Sequence, residues 1–228
     1  MSTQKKLKTR GIFMLATFFI VLGVIFMPIF SGHNGLDFMD NLYNSISKDS
    51  AYFIPKLKEK VKKHEGSLDE LQLTMKDAQQ AQESAKLLEA GGASATVTDN
   101  RISVSGDMGA ILKNTLIDAD FMYANDGDRL VEKYGYNHRL VVYNWNQVLG
   151  SMIKSLNKLE KFKDAKIVST VQKKAVEMSY NYYGIVPQSA MDSLFLVIFS
   201  LVFYVFYTLW YGFGIMFLFE GFGFKIAH

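Results

Sequence analysis

Two long stretches without a charged side chain dominate the hydrophobic pattern of this chain. They are residues 11–30 (GIFMLATFFIVLGVIFMPIF) and residues 193–219 (SLFLVIFSLVFYVFYTLWYGFGIMFLF). At about 1.5 Å per residue, a helix of either length crosses the hydrocarbon core of a bilayer, which is about 30 Å thick. Large apolar residues occur on all sides of the second stretch, whereas a soluble core helix keeps a polar stripe. The pattern therefore predicts transmembrane helices over residues 11–30 and 192–219.

The charges beside these stretches predict how the chain is oriented. Four basic residues precede the first stretch, and two acidic ones follow it before any lysine or arginine: Lys5, Lys6, Lys8 and Arg10, then Asp37 and Asp40. Under the positive-inside rule, residues 1–10 and 220–228 are predicted to be cytoplasmic and residues 31–191 to lie outside the cytoplasm. We therefore expect a two-pass protein of the bacterial inner (cytoplasmic) membrane with a periplasmic central domain.

A cleaved signal peptide is the alternative interpretation of the first stretch. Ser31 and Gly32 are small residues at a plausible cleavage point. However, the apolar region of a signal peptide is only about 7–15 residues long, and residues 11–30 exceed that length. The length favours a membrane-spanning helix, and Pro28 near its end is typical of a helix exit.

The central region has the pattern of a helical domain with a small β-hairpin. Residues 35–46 are predicted to be a short amphipathic connection, and apolar residues three and four apart predict helices over residues 50–64, 67–90, 108–124, 139–162 and 164–183. The helix over residues 67–90 is predicted to begin at a capping box, Ser67 to Glu70. Alternation on both sides of Asp99-Asn100 predicts a hairpin, which would pack on the helices or pair with another copy of the chain. The predicted fold class is mainly α, with two transmembrane helices enclosing an extracytoplasmic helical bundle.

The composition argues against nucleic-acid binding and against any function that needs cysteine. The net charge of the 228 residues is +3, and the four basic residues at the start account for more than that excess. The rest of the chain therefore has no basic field to attract nucleic acid. Cysteine is absent, which excludes disulfides, thiolate metal sites and cysteine nucleophiles.

The candidate catalytic and metal-binding residues are few. Four aspartates near the middle of the chain offer the oxygen ligands that Ca²⁺ prefers, but no glutamate follows at the EF-hand position, which favours a polar helix end; they are Asp118, Asp120, Asp126 and Asp128. The four histidines have no spacing that would put two ligands on one helix face. Without a nucleophile and base, a metal spacing or a phosphate loop, the sequence predicts no enzyme, no cofactor and no metal.

Aromatic residues on two predicted helices form the candidate ligand or partner surface. They are Trp145 on the first helix and Tyr180, Tyr182 and Tyr183 on the second. Such groups can line a small-ligand pocket between bundle helices. The favoured interpretation is an aromatic layer in the core just above the membrane, where tyrosine hydroxyls reach water, and the pocket is the alternative.

Glycines in the second apolar stretch predict helix packing in the membrane. Gly212, Gly214, Gly221 and Gly223 stand among large aromatics, next to Trp210. Small residues in such a helix create notches that allow another helix to approach closely. Glu220 and Lys225 are predicted to lie at the membrane interface.

Two membrane helices that enclose an external helical bundle resemble the sensing half of bacterial chemoreceptors. The predicted cytoplasmic ends are too short for a signalling domain, so a signal would pass through another protein. The favoured function is a non-enzymatic structural or accessory subunit of a membrane complex, either self-assembled or part of a larger transport, respiratory or secretion assembly. The alternative is a periplasmic ligand-binding sensor or accessory binding protein. The expected partners are the lipid bilayer and other membrane subunits or copies of the chain, with a small-molecule ligand left open.

Overall fold

The computed structural model describes residues 3–64 and 66–224, and the chain forms two compact units. Unit 1 consists of Met1–Ser47 and Pro187–His228, and unit 2 consists of Lys48–Val186. The fold is mainly helical, as the sequence predicts, and it contains one small antiparallel sheet of three strands.

Unit 1 is built from α1 (Thr3–Ile25), most of α2 (Gly35–Ser50) and α10 (Leu194–Gly221). Both α1 and α10 are long and apolar enough to cross a membrane. The helix predicted over residues 11–30 begins earlier and ends at Ile25, three residues before Pro28. That end is expected because proline cannot donate its backbone N–H and disfavours helix in the preceding residue.

The two long helices of unit 1 are antiparallel neighbours. Lys8 near the start of α1 lies next to Gly221 at the end of α10. Further along, the ring of Phe18 stacks on that of Tyr207, with centroids 4.3 Å apart. Residue numbers increase along α1 where they decrease along α10, so the two helices are antiparallel. This pair is called the helical hairpin, although α1 and α10 are not consecutive in the chain.

Unit 2 contains a three-stranded sheet covered by helices. Its elements are α3 (Ile54–Val61), a 3₁₀ turn (Lys62–His64), β1 (Ser67–Thr74), α4 (Ala78–Ala90), β2 (Ser94–Thr98), β3 (Arg101–Asp107), α5 (Met108–Tyr123), α6 (Asp128–Tyr134), α7 (His138–Lys158), α8 (Phe162–Val171), a π-helix (Gln172–Val176) and α9 (Glu177–Asn181). The strand order is β1-β3-β2 and every pairing is antiparallel. The hairpin predicted around Asp99-Asn100 is confirmed, but it is part of a larger sheet because β1 pairs with β3.

The helix predicted over residues 67–90 is wrong in its first third. Residues Ser67–Thr74 form β1, in which Leu71 and Leu73 are buried on either side of the exposed Gln72. The helix starts later, at α4, where the Asp77 carboxylate accepts a hydrogen bond from the N–H of Gln80 (2.8 Å). The Gln80 side chain in turn accepts one from the N–H of Lys76 (2.9 Å). The reciprocal cap therefore lies ten residues beyond the predicted capping box.

The core of unit 2 lies between one face of the sheet and the helices. Ile102 and Val104 of β3 are fully buried, as are Leu112 of α5 and Val148 of α7. The predicted helix 108–124 matches α5, whose N-cap is the Asp107 carboxylate. The predicted helix 164–183 is divided into α8, the π-helix and α9. The short helix α6 has no counterpart in the prediction.

Candidate functional sites in the two units

The contact between α1 and α10 brings backbone against backbone. A Cβ added to Gly11 would lie 2.6 Å from the backbone nitrogen of Leu218, and one added to Gly221 would lie 2.5 Å from that of Lys8. Real Cβ atoms do not approach this closely, so neither glycine can be enlarged without moving a helix. Gly214 is also buried here, against Leu15. The helix that approaches Gly214 and Gly221 is thus α1 of the same chain, and the sequence prediction missed Gly11.

Two polar side chains of α10 hydrogen-bond to α1. The indole N–H of Trp210 donates to the carbonyl of Met14 (3.1 Å). The hydroxyl of Tyr207 donates to the carbonyl of Phe18 (3.2 Å). These bonds satisfy polar groups within an otherwise apolar surface and fix the rotation of α10 against α1.

The remaining predicted residues of this helix lie elsewhere. Gly212 has no atom within 4 Å of its added Cβ, so it does not face α1. Gly223 follows the helix end with φ of +88°, which is a turn conformation rather than a packing notch. Glu220 lies in the last turn of α10, and Lys225 lies outside the described residues.

The helical hairpin leaves a large apolar surface exposed. A row of stacked rings, one turn apart, follows α10: Phe195, Phe199, Phe203 and Tyr207. The exposed fraction is 79% for Phe195 and still 37% for Phe203. Apolar surface on this scale marks a protein or membrane contact.

Trp145 in unit 2 belongs to a buried polar cluster centred on Asp118. The carboxylate of Asp118 accepts hydrogen bonds from the Trp145 indole (2.8 Å), the Tyr134 hydroxyl (2.5 Å) and the Lys133 ammonium (2.7 Å). Burial, together with the Asp118 charge, raises the pKa of Tyr134. Every donor around this carboxylate is engaged within the unit, so the cluster acts in packing and not as an open pocket.

The other aspartates considered as oxygen ligands are dispersed. Asp120 accepts hydrogen bonds from Lys58 (2.6 Å) and Tyr52 (2.7 Å), and Asp126 pairs with Arg129. Within residues 3–64 and 66–224, no group of three or more His, Asp or Glu side chains is placed to hold a metal ion.

A groove of about 370 Å³ lies between α7, the π-helix and α9. Its walls are Val142, Tyr143, Asn146, Val176, Glu177, Tyr180 and Asn181. The side chain of Gln172 supports one wall, since its amide donates to the backbone carbonyl and to the side-chain oxygen of Asn146 (2.9 and 2.8 Å). π-Helical turns occur often at functional sites.

The four aromatics of the candidate ligand or partner surface do not come together. Tyr180 lines the groove, whereas Trp145 is buried with Asp118. The Tyr182 ring packs near Tyr123, and the Tyr183 ring lies 4.7 Å from the His138 ring. The sequence prediction missed Tyr143 of α7 and Glu177 of α9, because the groove forms where separate helices meet, and spacing within one helix gives no signal of that contact.

A buried lysine joins the first and last segments of unit 2. The ammonium of Lys48 donates to the carbonyl of Ile185 (2.6 Å) and to the side-chain oxygen of Asn125 (3.1 Å). Asn125 also accepts from the N–H of Gly184 (2.7 Å). Burial lowers the pKa of Lys48. The chain therefore enters and leaves unit 2 at adjacent points that are held by hydrogen bonds.

Comparisons with protein-family models, with curated proteins and with solved structures found no match to this chain.

Proposed function

We propose that this chain is a non-enzymatic, two-pass protein of a bacterial inner membrane that acts as a structural or accessory subunit of a membrane complex. The observation that carries the proposal is the helical hairpin of unit 1. Its two helices interlock at Gly11, Gly214 and Gly221, yet most of their large apolar side chains remain exposed. In water such a surface would aggregate, whereas lipid and neighbouring membrane helices satisfy it.

The charge distribution supports one orientation in the membrane. Lys8 and Arg10 lie at the same end of the hairpin as the end of α10, and their cationic groups sit 4.2 and 4.4 Å from the Phe222 and Phe217 rings. A basic end of this kind favours the cytoplasmic side. Unit 2 would then lie in the periplasm, with both chain ends in the cytoplasm.

This orientation can be tested with single cysteines, because the chain has none of its own. Thr98→Cys in unit 2 should react with a membrane-impermeant maleimide in intact spheroplasts. Thr3→Cys should react only after the membrane is permeabilised. Equal labelling of the two variants in intact spheroplasts would contradict the two-pass orientation.

The open space beside Gly212 supports the presence of a further helix that packs against α10. The notch at Gly212 is open and faces away from α1, and its chain neighbours Tyr211 and Phe213 are exposed. We expect Gly212→Leu to reduce the subunits that co-purify in mild detergent, because the larger side chain fills the notch. Gly23→Leu on α1, which also meets no atom, serves as the control. Unchanged co-purification in Gly212→Leu would remove this contact from the proposal.

A ligand-binding sensor is the second candidate, and the groove beside the π-helix favours it. Its volume is within the range of small-molecule sites, and Tyr143, Tyr180 and Glu177 offer two aromatic rings and a carboxylate. A metabolite panel screened by thermal shift on the intact chain in detergent tests it. A true ligand should lose its shift with Glu177→Gln and keep it with Glu132→Gln, which changes an exposed residue outside the groove. A shift that both variants retain would place the ligand elsewhere.

A further inference from the structure

The two edges of the three-stranded sheet in unit 2 differ in whether their outward backbone groups are hydrogen-bonded. The central strand β3 pairs on both sides, so β1 and β2 are the edge strands. An edge strand presents alternate N–H and C=O groups that its neighbour in the sheet does not use. The sheet can therefore grow wherever these groups remain unpaired.

The edge of β1 is closed by helix α7. The N–H of Met75 donates to the carbonyl of Asn100 (2.8 Å). In this ladder the backbone N–H and C=O groups of odd-numbered residues therefore point toward β3, and those of even-numbered residues of β1 point away from the sheet. The outward N–H of Thr74 donates to the Ser151 hydroxyl (2.9 Å), and the outward carbonyl of Gln72 accepts from the Ser155 hydroxyl (2.6 Å). Two serines of α7 thus occupy the positions of a neighbouring strand.

The edge of β2 has no such cover. Thr98 pairs with Arg101 across the two-residue turn and Thr96 pairs with Ser103, so these residues bond to β3. The N–H and C=O groups of Ala95 and Val97 consequently point outward. No hydrogen-bond partner for these four groups occurs among residues 3–64 and 66–224. The strand Ser94–Thr98 also lacks the charges and prolines that commonly protect an edge.

We propose that β2 pairs in antiparallel fashion with β2 of a second copy of this chain, across a two-fold axis at Thr96. In that register Ala95 stands opposite Val97 of the other copy, and the reverse pair is equivalent. Both pairs are of the hydrogen-bonded kind, so all four outward groups of each strand find partners. A register shifted by two residues would pair only one of the two outward residues.

The side chains of β2 fit the same register. Ala95 and Val97 pack against the core of unit 2, while Ser94, Thr96 and Thr98 are exposed on the other face. The two-fold pairing places Ala95 against valine, Ser94 against threonine, and Thr96 against its own counterpart. Apolar side chains thus meet apolar ones and hydroxyls meet hydroxyls, which are favourable cross-strand pairs. No like charges stand opposite each other.

The membrane explains why a second copy suits this edge better than a free peptide. A pair of five-residue strands buries far less than the roughly 1,200 Å² of a stable interface in solution. Two copies anchored in one bilayer meet at a high effective concentration, which offsets the small area. In this respect the inference rests on the proposed membrane function and deepens it by naming the partner.

Disulfide cross-linking in native membranes tests the pairing, because the chain has no cysteine to interfere. Thr96→Cys should form a disulfide-linked dimer on mild oxidation, since residues in a non-hydrogen-bonded pair have Cα atoms about 4.5 Å apart and lie within disulfide reach. Thr98→Cys should form few dimers, because four strand residues, roughly 13 Å, separate the two cysteines. Thr74→Cys, on the closed edge of β1, is the second control.

Co-expression of Ser94→Cys and Thr98→Cys chains checks the register, and these two should cross-link with each other. A dimer yield for Thr96→Cys that exceeds the yields of both the Thr98→Cys and the Thr74→Cys controls would support the inference. A Thr96→Cys yield no greater than that of Thr74→Cys would overturn it, provided the variant melts like the wild type. If foreign subunits still co-purify with that unlinked variant, the proposed subunit function stands and only the β2 contact is lost.

Discussion

Asp118 shows how one residue determines the packing of unit 2. Its carboxylate is fully buried and accepts hydrogen bonds from Trp145, Tyr134 and Lys133, which belong to two helices. The charge is offset by one ammonium and two neutral donors. Removing it would leave the Tyr134 hydroxyl and the Trp145 indole inside the unit without their acceptor. Lys133 would keep its hydrogen bond to Asn114.

Asp118→Ala should therefore lower the free energy of unfolding by about 3–5 kcal/mol, the usual effect of breaking a buried ion pair from one side. Asp126→Ala is the matched control, because its ion pair with Arg129 is exposed and should contribute about 0–1 kcal/mol. Denaturant unfolding of the intact chain in detergent, followed by tyrosine and tryptophan fluorescence, measures both values. Equal effects of the two substitutions would contradict the role assigned to Asp118.

Two tyrosines make the stability of unit 2 sensitive to alkaline pH. Burial, followed by the hydrogen bond to Asp120, raises the pKa of Tyr52 from 10.0 to about 12. Burial, followed by the charges of Tyr182 and Asp49, raises the pKa of Tyr123 to about 12 as well. Because the unfolded chain releases these protons near pH 10 and the folded chain retains them, their stabilising contribution is complete below pH 10. It is lost as the pH rises to about 12.

Tyr52→Phe should make the loss of stability between pH 10 and 12 less steep, because one of the tyrosines with a raised pKa is gone. Melting temperatures of the wild type and of the variant across this range measure the slope. Tyr143→Phe, which removes an exposed tyrosine, is the control. A slope that Tyr52→Phe leaves unchanged would contradict the assignment.

At the scale of elements, the α1–α10 contact depends on the absence of side chains at a few positions. Gly11→Ala forces a Cβ against the backbone of Leu218, so we expect it to weaken the helical hairpin by about 1–3 kcal/mol. Gly23→Ala, on the same helix and without a neighbour, should be neutral or stabilising by up to about 1 kcal/mol, because alanine favours helix. Resistance of the folded chain to SDS compares them. If the two variants resist equally, the close contact at Gly11 does not exist.

Elements with a local signal were predictable from the sequence, and those defined by distant contacts were not. The turn residues Asp99 and Asn100 indicate the β2–β3 hairpin, and the N-cap residue Asp107 indicates the start of α5. In contrast, Leu71 and Met75 of the β1 segment have the four-residue spacing of a helix. The strand forms because it pairs with β3, about thirty residues away in the chain, a contact that local spacing does not encode.

The candidate sites were less predictable than the elements that hold them. The sequence favoured a core layer for Trp145 and Tyr180 and kept a shared pocket as the alternative. Trp145 is buried beside Asp118, a partner on another helix, whereas Tyr180 lines the groove. Tyr143 of α7 and Glu177 of α9 lie in the same groove, and neither position carries a local sequence signal. Similarly, glycine notches predict that some helix approaches α10, but spacing alone does not say which helix.

At the scale of the whole molecule, the chain combines a helical hairpin that is long and apolar enough to cross a membrane with a domain that has one open sheet edge. The hairpin leaves apolar surface exposed, while the outward groups of Ala95 and Val97 in unit 2 have no partner among residues 3–64 and 66–224. Each unit therefore presents a surface that another chain can complete. The proposed assembly with other chains would engage both units.

The mass of the intact complex, extracted gently in detergent with every co-purifying chain identified, tests this claim most directly. From the proposed assembly we predict a complex larger than one chain. It should contain two or more copies of the chain, with or without foreign subunits in fixed ratio. A homogeneous monomer, recovered from detergents mild enough to preserve known membrane complexes, would contradict the account and favour the sensor.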